Sequence, residues 1–569
     1  MNRPHSKNAR FLCGLAAAVL LAVSLAGAGP RLVAAPGPAT SSTPDLSAAK
    51  GDVLLEALLT ELARSKDQLR MDNVPRPYYI EYRVSDLDSY SADASFGALR
   101  EEQQAHLRFV RAVVRVGDYK QDSYYREGMG QAQILPLDDD PIALRHQIWL
   151  ATDEAYKAAS EALTQKQAAL KEFTPDPEAP DDFARAPAIQ SLEPPAKLQY
   201  DAGLWRRTLE ELTGLYKQYP DVQTLSAVVR FNANNEYFVN SEGAVTRTGS
   251  AAYSVQLMGS TQAPDGMRLS RSPYWAVAKP EEMLSPGELR NEMVKMLDTL
   301  TALRQAPIIE EDYRGPVVFS ADAAADVFDS LIGGSILGRK PQLGRPNRTT
   351  GEFATSYKMR VLPAFLTVVD DPTVKDFQGH SLTGSYDVDS EGVRAAPVTA
   401  IDRGILLNYL LGRQPIRDFP VSNGHGRAAP GASPQSAIGN LFVRAADAVA
   451  PEALKERMLD IVREQGKPYG YLADTLGPGN TPRVLYRVWA KDGHAELVRG
   501  AAFNELDVRS LRNNLVAAGN DPLVDNRVAS LATTIVSPSI LFDELEVKRA
   551  NTSKDKLPEY PAPPLTTSH

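Results

Sequence analysis

Apolar residues recur in the first part of the chain with two different periods, and these periods predict helices and strands. Over residues 53–69, and from residue 142 to about 173, the apolar positions lie three or four apart, as on one face of a helix. Residues 77–86 and 106–119 instead alternate between apolar and polar side chains, which is typical of strands that share a sheet. The pattern predicts helices packed against a sheet.

Further along the chain the strand pattern dominates. Residues 225–259 are predicted to form several short strands, and residues 240–243 (NSEG) are suited to a tight hairpin turn. A helix is predicted to begin at Pro286, and the later apolar runs are short and bounded by turn residues. We therefore predict an α+β fold: an N-terminal α/β domain with a mostly antiparallel sheet and helices over residues 51–305, and a C-terminal β-rich domain over residues 306–550.

Two further stretches depart from these patterns. Residues 174–197 contain six prolines and several acids, which predicts a coil over the surface. This coil belongs to a helical and Pro-rich insertion at about residues 138–220, whose second helix is predicted near residues 202–216. Residues 551–569 are predicted to be a disordered tail.

The first residues have the pattern of an export signal. Three basic residues among the first ten precede an uncharged apolar run at 11–29, and small residues follow at the positions that a signal peptidase reads. We interpret residues 1–35 as a signal peptide and residues 36–50 as a flexible leader, so we expect export to the periplasm or the cell surface. An uncleaved anchor is the alternative, because the run is just long enough to span a bilayer.

Cysteine content and net charge exclude some kinds of active site and argue against some kinds of partner. Cys13 is the only cysteine and lies in the apolar run, so a mature chain has no disulfide, thiolate nucleophile or cysteine metal ligand. The net charge of −9 argues against a nucleic-acid partner, since such proteins present a basic face. We expect no stable membrane span in the mature chain.

Histidines and acidic motifs show no recognisable catalytic pattern. The seven histidines have no helix-neighbour spacing and no H-E-x-x-H, although a metal site built from distant histidines stays open. Residues 387–392 (DVDSEG) match the front of a calcium loop, but Val398 stands where that loop needs a bidentate glutamate, so we predict a turn with solvated carboxylates. Asp370 and Asp371 precede a proline, and turn chemistry explains them.

Residues 328–340 (FDSLIGGSILGRK) combine a helix with a break. Ser320 and the residues after it are typical of a capped first helical turn. Gly333 and Gly334 then interrupt the helix, and no residue between Asp329 and Lys340 is an evident catalytic group. The stretch therefore predicts a helix with a break, the backbone arrangement of a functional site, but no catalytic side chains within it.

Eight segments of the C-terminal half carry a family resemblance through their order along the chain. They are GPVVFSADAAADVFDSLIGGSILGR, LTVVDDPT, GSYDVDSEGV, PVTAIDRGILLNYLL, SNGHGR, LVRGAAF, GNDPLVDN and SPSILFDELEVK. In this order the chain resembles the TldD/PmbA family of zinc metallopeptidases, also known as modulators of DNA gyrase, over residues 315–548. The resemblance extends back to about residue 230 and implies a C-terminal domain of the TldD/PmbA type. The N-terminal half is similar to a secreted, TldD-related branch, here without the HExxxH zinc motif.

The resemblance implies that the ligands of a zinc site have been lost. The family's catalytic helix reads L-H-E-x-x-G-H, and Asp329, Ser330 and Gly334 fall on its first histidine, its general-base glutamate and its second histidine. The family's cysteine ligand would fall near residues 526–534, where there is no cysteine. A catalytic zinc needs about three protein ligands. We therefore expect no catalytic residue, no metal ligand and no cofactor, with these three residues as degenerate counterparts.

Three functions stay open at this point. The resemblance implies a dimer that encloses a cavity for unfolded peptide, so the leading hypothesis is an exported peptide-binding pseudoenzyme or metal-free partner subunit, in a homodimer or in a heterodimer with a family member. One alternative is an active peptidase with a rebuilt site that uses His380, His425 or His494. The other is a structural envelope protein without a peptide ligand.

Overall fold

The first lobe is built on a long antiparallel sheet. A computed structural model of the chain describes residues 50–125, 130–174, 176–345, 347–552, 555–558 and 560. The predicted signal peptide and nearly all of the predicted leader lie outside these ranges. The strands of this lobe are β1 (Pro77–Ser95), β2 (Ala98–Val116), β3 (Ala132–Ile134), β4 (Gln190–Leu192), β5 (Val222–Asn240), β6 (Val245–Gln262), β7 (Arg268–Arg271) and β8 (Tyr274–Val277). They pair in the order β3-β2-β1-β5-β6-β4, and β7 and β8 also pair with β6.

Four helices cover this sheet. They are α1 (Val53–Gln68), α2 (Pro141–Leu170), α3 (Ala202–Gly214) and α4 (Pro286–Gln305). Tyr82 and neighbouring side chains of β1 form one core with α1 and α2, and Tyr90 forms another with α3 and α4. Tyr82 and Tyr90 are an even number of positions apart on β1, and side chains alternate between the two faces of a strand, so both tyrosines lie on the same face. The helices therefore pack at two places on one face of the sheet.

Local sequence explains where these elements turn and begin. The β5–β6 turn forms because Asn240 Oδ1 accepts hydrogen bonds from the N–H groups of Glu242 (3.0 Å) and Ala244 (2.9 Å). Gly243 has a φ of +100°, a conformation that other residues rarely adopt. Helix α4 begins with a capping box between Ser285 and Glu288. The predicted hairpin and helix start are both confirmed.

In the part of the chain that the structure describes, the second lobe contains two larger sheets and three helices. Its helices are α5 (Ala321–Phe328), α6 (Pro451–Glu464) and α7 (Val508–Asn514). Its strands are β9 (Tyr313–Phe319), β10 (Leu366–Asp370), β11 (Asp376–Phe377), β12 (His380–Ser381), β13 (Val398–Asp402), β14 (Ile405–Leu406), β15 (Gly426–Arg427), β16 (Gln435–Ser436), β17 (Asn440–Ala445), β18 (Tyr469–Gly477), β19 (Thr481–Trp489), β20 (Ala495–Val498), β21 (Ala501–Asn504), β22 (Leu515–Ala518), β23 (Leu523–Val528), β24 (Ala532–Ser537) and β25 (Ile540–Arg549).

One short helix lies between the two sheets of the second lobe. The first sheet has the order β14-β13-β10-β17-β24-β23, and the second has the order β20-β19-β18-β9-β25-β21, with β22 also paired to β25. Helix α5 contacts β23 and β24 of the first sheet and β9 and β18 of the second. Its buried residues belong to the largest apolar core of the described chain. Helix α6 packs on the outer face of the second sheet. The chain thus has the predicted α+β fold.

Two local predictions are wrong. The turn predicted at residues 387–392 is present, but Asp389 and Glu391 within it are buried rather than solvated. The Pro-rich coil at 174–197 is not confined to the surface: Phe183 is buried, and β4 pairs in parallel with β6. Both errors have the same cause, because a turn-rich composition does not reveal which of its side chains another part of the chain will cover.

Candidate functional site

Helix α5 brings residues 328–334 to the junction of the two lobes. Ser320 caps the helix by accepting a hydrogen bond from the Ala323 N–H (3.1 Å), and its hydroxyl donates to the Asp474 carbonyl of β18 (2.6 Å). The helix ends at Phe328 and continues as a π-helical turn over Asp329–Gly333. Such turns inside helices often occur at functional sites. The predicted break is therefore present, immediately before Gly334.

The three residues predicted to be degenerate counterparts, Asp329, Ser330 and Gly334, lie on this turn or directly after it, but they have different environments. Asp329 Oδ2 accepts a hydrogen bond from Arg527 Nη1 at 2.6 Å. Ser330 Oγ accepts one from Asn480 Nδ2 at 3.0 Å. Gly334 is exposed, and a Cβ atom added to it would meet no atom within 4 Å. The three positions therefore present a carboxylate at Asp329, a hydroxyl group at Ser330 and open space beside Gly334.

Arg527 of β23 occupies the centre of this region. Its guanidinium group bonds Asp329 (2.6 Å), Asp326 (2.7 Å) and Asp525, which its Nε contacts at 2.7 Å. These three carboxylates raise the pKa of Arg527, although desolvation opposes them. A fixed cation therefore links the helix that contains Asp326 to the edge strand that contains Asp525.

Sequence reasoning missed Arg527. Arg527 lies within residues 526–534, where the family resemblance would place a cysteine ligand. A basic residue two positions after Asp525, hence on the same face of a strand, is the signal that could have identified it. The guanidinium group that binds Asp329 was not predicted from the sequence.

The donor set around Asp329 does not fit a zinc ion. A catalytic zinc needs about three nitrogen, sulfur or carboxylate ligands. Asp329 is the one such group among the three counterparts, and its carboxylate is already bound to a guanidinium group. Within the described ranges no group of three or more His, Cys, Asp or Glu side chains is arranged to hold a metal.

The histidines of the alternative peptidase hypothesis do not come together in the described part of the chain. His380 of β12 and His494, in the β19–β20 turn, are exposed. His425 is buried, with its Nε2 atom 3.1 Å from Asp370 Oδ1. Asp370 also accepts two hydrogen bonds from the Gly439 N–H. The His425–Asp370 pair therefore belongs to the interior of the second lobe.

A cavity of about 610 Å³ opens beside Arg527, between the lobes. The first lobe contributes residues of β7, β8 and α4, and the second contributes residues of α5, β18, β19 and β23. Its charged lining residues include both signs: Arg271, Lys295, Arg483, Arg527, Glu292, Asp322, Asp326, Asp474 and Asp525. Cavities at lobe interfaces are common binding sites.

Several of these carboxylates interact unfavourably with one another. Desolvation, together with the charges of Asp525, Asp326 and Asp474, raises the pKa of Asp322 to about 6. Desolvation also raises the pKa of Asp326, even though Arg527 opposes the shift. Acids crowded in this way favour the approach of a further positive group.

A second group of ionisable residues lies deeper between the lobes. Arg413 is fully buried, and its guanidinium group donates to the Ala184 carbonyl (2.7 Å), to Tyr79 Oη (3.1 Å) and to Glu242 Oε2 (2.6 Å). Its backbone N–H donates to Glu391 Oε2 at 2.5 Å. Arg413 and Glu391 belong to the second lobe, whereas the three acceptors of the guanidinium group belong to the first. The hydrogen bonds of Arg413 therefore connect the two lobes.

Comparison with known proteins relates the second lobe to a peptidase family. Residues 312–549 match the model of the PmbA/TldA metallopeptidase C-terminal domain. A metalloprotease of Methanothermobacter thermautotrophicus is 30% identical over 92 residues, which are 16% of this chain and 19% of that protein. The match thus spans about a fifth of that relative's length.

Solved structures share the fold over most of the chain. TldE from Thermococcus kodakarensis matches with a TM-score of 0.57 and 11% identity, covering 86% of this chain and 99% of its own. A Thermotoga maritima protein named as a modulator of a DNA gyrase matches with a TM-score of 0.57 and 13% identity, covering 87% and 99%. At these identities the likeness concerns the fold.

Within the described ranges, no helix is both long enough and apolar enough to cross a bilayer.

Proposed function

We propose that this chain, which is related through residues 312–549 to the PmbA/TldD metallopeptidases, is an exported protein that binds peptides without hydrolysing them at a zinc centre. The observation that carries the proposal is the position of Arg527. Its guanidinium group binds Asp329, the one potential ligand among the three counterparts of the zinc motif.

Electrostatics supports the loss of zinc chemistry. A divalent cation beside Asp329 would have to displace Arg527 from three carboxylates and then bind without a histidine or a thiolate. Without a bound cation, a water molecule keeps a pKa far above 7, and the Ser330 hydroxyl is too weak a base to remove its proton. The residues of this chain thus retain the helix and the glycine break without a means of activating water.

Peptide binding is supported by the cavity between the lobes. Its volume of about 610 Å³ falls within the range of about 300–1,000 Å³ that is usual for ligand sites. Trp275 and Leu476 supply apolar surface, and the charged residues of β7, α5, β18 and β19 supply polar contacts. A peptide has both kinds of surface.

Two further parts of the proposal concern location and assembly. Export rests on the signal-like pattern within residues 1–35, and a reporter enzyme that is active only outside the cytoplasm, fused after residue 50, tests it. Assembly as a homodimer, or as a heterodimer with a family member, is tested by native mass spectrometry of the purified chain, alone and after co-expression with such a relative. A signal for the free monomer alone would contradict the assembly.

The central test combines binding with cleavage. A fluorescent, unfolded protein such as reduced, carboxymethylated lactalbumin is titrated with the chain, and the same samples are then analysed by gel electrophoresis with and without a chelator. We expect saturable binding and intact ligand in both samples. Cleavage that the chelator abolishes would contradict the proposal, and so would the absence of binding.

A further inference from the structure

Provided that the proposed peptide binding holds, we infer that the cavity between the lobes takes short peptides with free termini. Asp322 and Asp474 receive the terminal ammonium group, and Arg271 and Arg483 receive the terminal carboxylate. The inference concerns the class of peptide, since an internal stretch of a long chain has neither charged terminus.

Two carboxylates of the cavity lack partners. Asp322 lies in the first turn of α5 and Asp474 lies near the end of β18. Within the described part of the chain, neither side chain accepts a hydrogen bond or forms an ion pair within 4.0 Å. The nearby Asp326 and Asp525, in contrast, are both bound to Arg527. Asp322 and Asp474 are therefore the acids available to an incoming ammonium group.

Two guanidinium groups of the cavity also lack a counter-charge. Arg271 of β7 donates from Nη1 to Thr475 Oγ1 (2.5 Å), and its buried Nε has no hydrogen-bond partner. Arg483 of β19 donates to Ser272 Oγ at 2.8 Å. Among the described residues neither arginine forms an ion pair within 4.0 Å, and desolvation lowers the pKa of both. Guanidinium groups with free N–H donors are well suited to bind a carboxylate.

The two sets of charges face one cavity without pairing directly. Asp322 and Asp474 act on Arg271 through space, but more than 4.0 Å separates these charges from it. A ligand that carries an ammonium group and a carboxylate satisfies both sets at once, whereas a singly charged ligand leaves one set unpaired in a partly desolvated site. Trp275, Met296 and Leu476 give apolar surface for the side chains between the termini.

Blocking the termini one at a time tests the inference on the unmodified protein. The tripeptide Ala-Phe-Ala is titrated calorimetrically with free termini, N-acetylated, C-amidated and blocked at both ends. Because a hydrogen bond to a charged group contributes about 1.5–3 kcal/mol, each block is expected to weaken binding by about tenfold or more. Equal affinities for the four peptides would overturn the inference.

Substitutions then assign each terminus to its partners. In Asp474→Asn, N-acetylation is expected to cost much less affinity than in the unmodified protein, while C-amidation keeps its full effect. In Arg271→Met the reverse is expected. Asp447→Asn and Arg403→Met, at exposed positions outside the cavity lining, serve as matched controls and should leave both effects unchanged. Circular dichroism verifies that each variant is folded, and the titration of the unmodified protein does not depend on that result.

The outcomes separate this inference from the proposed function. If the unfolded protein binds and the free tripeptide does not, peptide binding stands and the free-terminus class is wrong. If neither ligand binds, the proposed function itself fails. Binding of both ligands, with a loss of tripeptide affinity at each block, supports both.

Discussion

The carboxylates around Arg527 lie close together, as do those of Asp389 and Glu391, but the chain stabilises the two groups differently. Around Arg527 a guanidinium group neutralises three acids at the edge of a cavity. Asp389 accepts hydrogen bonds from the backbone N–H groups of Glu391 (3.0 Å), Val393 (2.9 Å) and Gly426 (2.8 Å), and in the described chain it forms no ion pair. In the first region a cation stabilises the acids, whereas in the second region backbone N–H groups stabilise Asp389.

Burial raises the pKa of both acids in the second region. Burial, together with the charge of Glu391, raises the pKa of Asp389 to about 8. Burial also raises the pKa of Glu391, although the backbone N–H and the charge of Arg413 oppose it. The acids around Arg527 lie at the edge of a cavity, a position that a ligand can reach. Asp389 and Glu391 are buried and accept hydrogen bonds from backbone N–H groups, an arrangement typical of a permanent structural contact. The comparison thus supports the proposed ligand binding in the first region and a structural role for the second.

Removal of the buried cation from the lobe connection should have the largest effect. Arg413→Met leaves Glu242 and the Ala184 carbonyl without their donor, and it removes the guanidinium group that lies 4.1 Å from the Phe183 ring centre. Breaking a buried pair in this way costs about 3–5 kcal/mol, and we expect that loss in the free energy of unfolding by urea. Arg403→Met is the exposed control. A loss no larger than in the control would mean that this region does not connect the lobes.

The space around Glu391 gives the second prediction. A Cβ atom added to Gly426 would lie 2.1 Å from Glu391 Oε2, so Gly426→Ala must displace a buried carboxylate. We expect a loss of about 1–3 kcal/mol in the free energy of unfolding, as for other overpacked cores. Gly287→Ala in α4 is the matched control, because a Cβ atom there meets nothing within 4 Å. Equal stability of the two variants would contradict the packing.

The fixed cation of the first region gives the third prediction. Arg527 is partly exposed, so Arg527→Met should lower the free energy of unfolding by only about 1–2 kcal/mol. The variant leaves Asp326, Asp329 and Asp525 without their shared counter-charge, so the three acids repel one another. Because salt screens this repulsion, we expect added sodium chloride to raise the melting temperature of Arg527→Met more than that of the unmodified protein. The same salt response in both proteins would show that Arg527 is not the counter-charge of these acids.

The pH dependence of stability gives the fourth prediction. Because Asp389 has a raised pKa in the folded chain, its contribution is fully present below the ordinary aspartate value of about 4 and is lost as the pH rises through about 8. Urea titrations from pH 5 to pH 9 should therefore show a fall in stability that is shallower in Asp389→Asn. An identical slope in the two proteins would mean that Asp389 is ionised throughout.

Sequence patterns predicted the elements of both regions better than their contacts. The cap at Ser320, the break at Gly333 and the hairpin after Asn240 are local features, and all three are present in the structure. The fold class followed from the same periodicities. Each of these features depends on residues close together in the chain.

The contacts on which the proposed function rests join residues far apart in the chain. Arg527 binds Asp329 across 198 positions, and Arg413 binds the Ala184 carbonyl across 229. Guanidinium groups from β2 and from the second lobe cover Phe183, at 3.7 Å and 4.1 Å from its ring centre. Neither periodicity nor turn composition contains this information, so the guanidinium group that binds Asp329 was not predicted.

The most direct test of the central claim is a zinc titration of the unmodified chain beside two variants. One variant restores the motif with Asp329→His, Ser330→Glu and Gly334→His, and the other adds Arg527→Cys to these changes. The first variant gains two histidine ligands but keeps Arg527, whereas the second gains two histidines and a cysteine and loses the guanidinium group. If Arg527 is the resident cation, only the second variant should bind one zinc per chain. One zinc bound by the unmodified chain would contradict the account, as would equal zinc binding by the two variants.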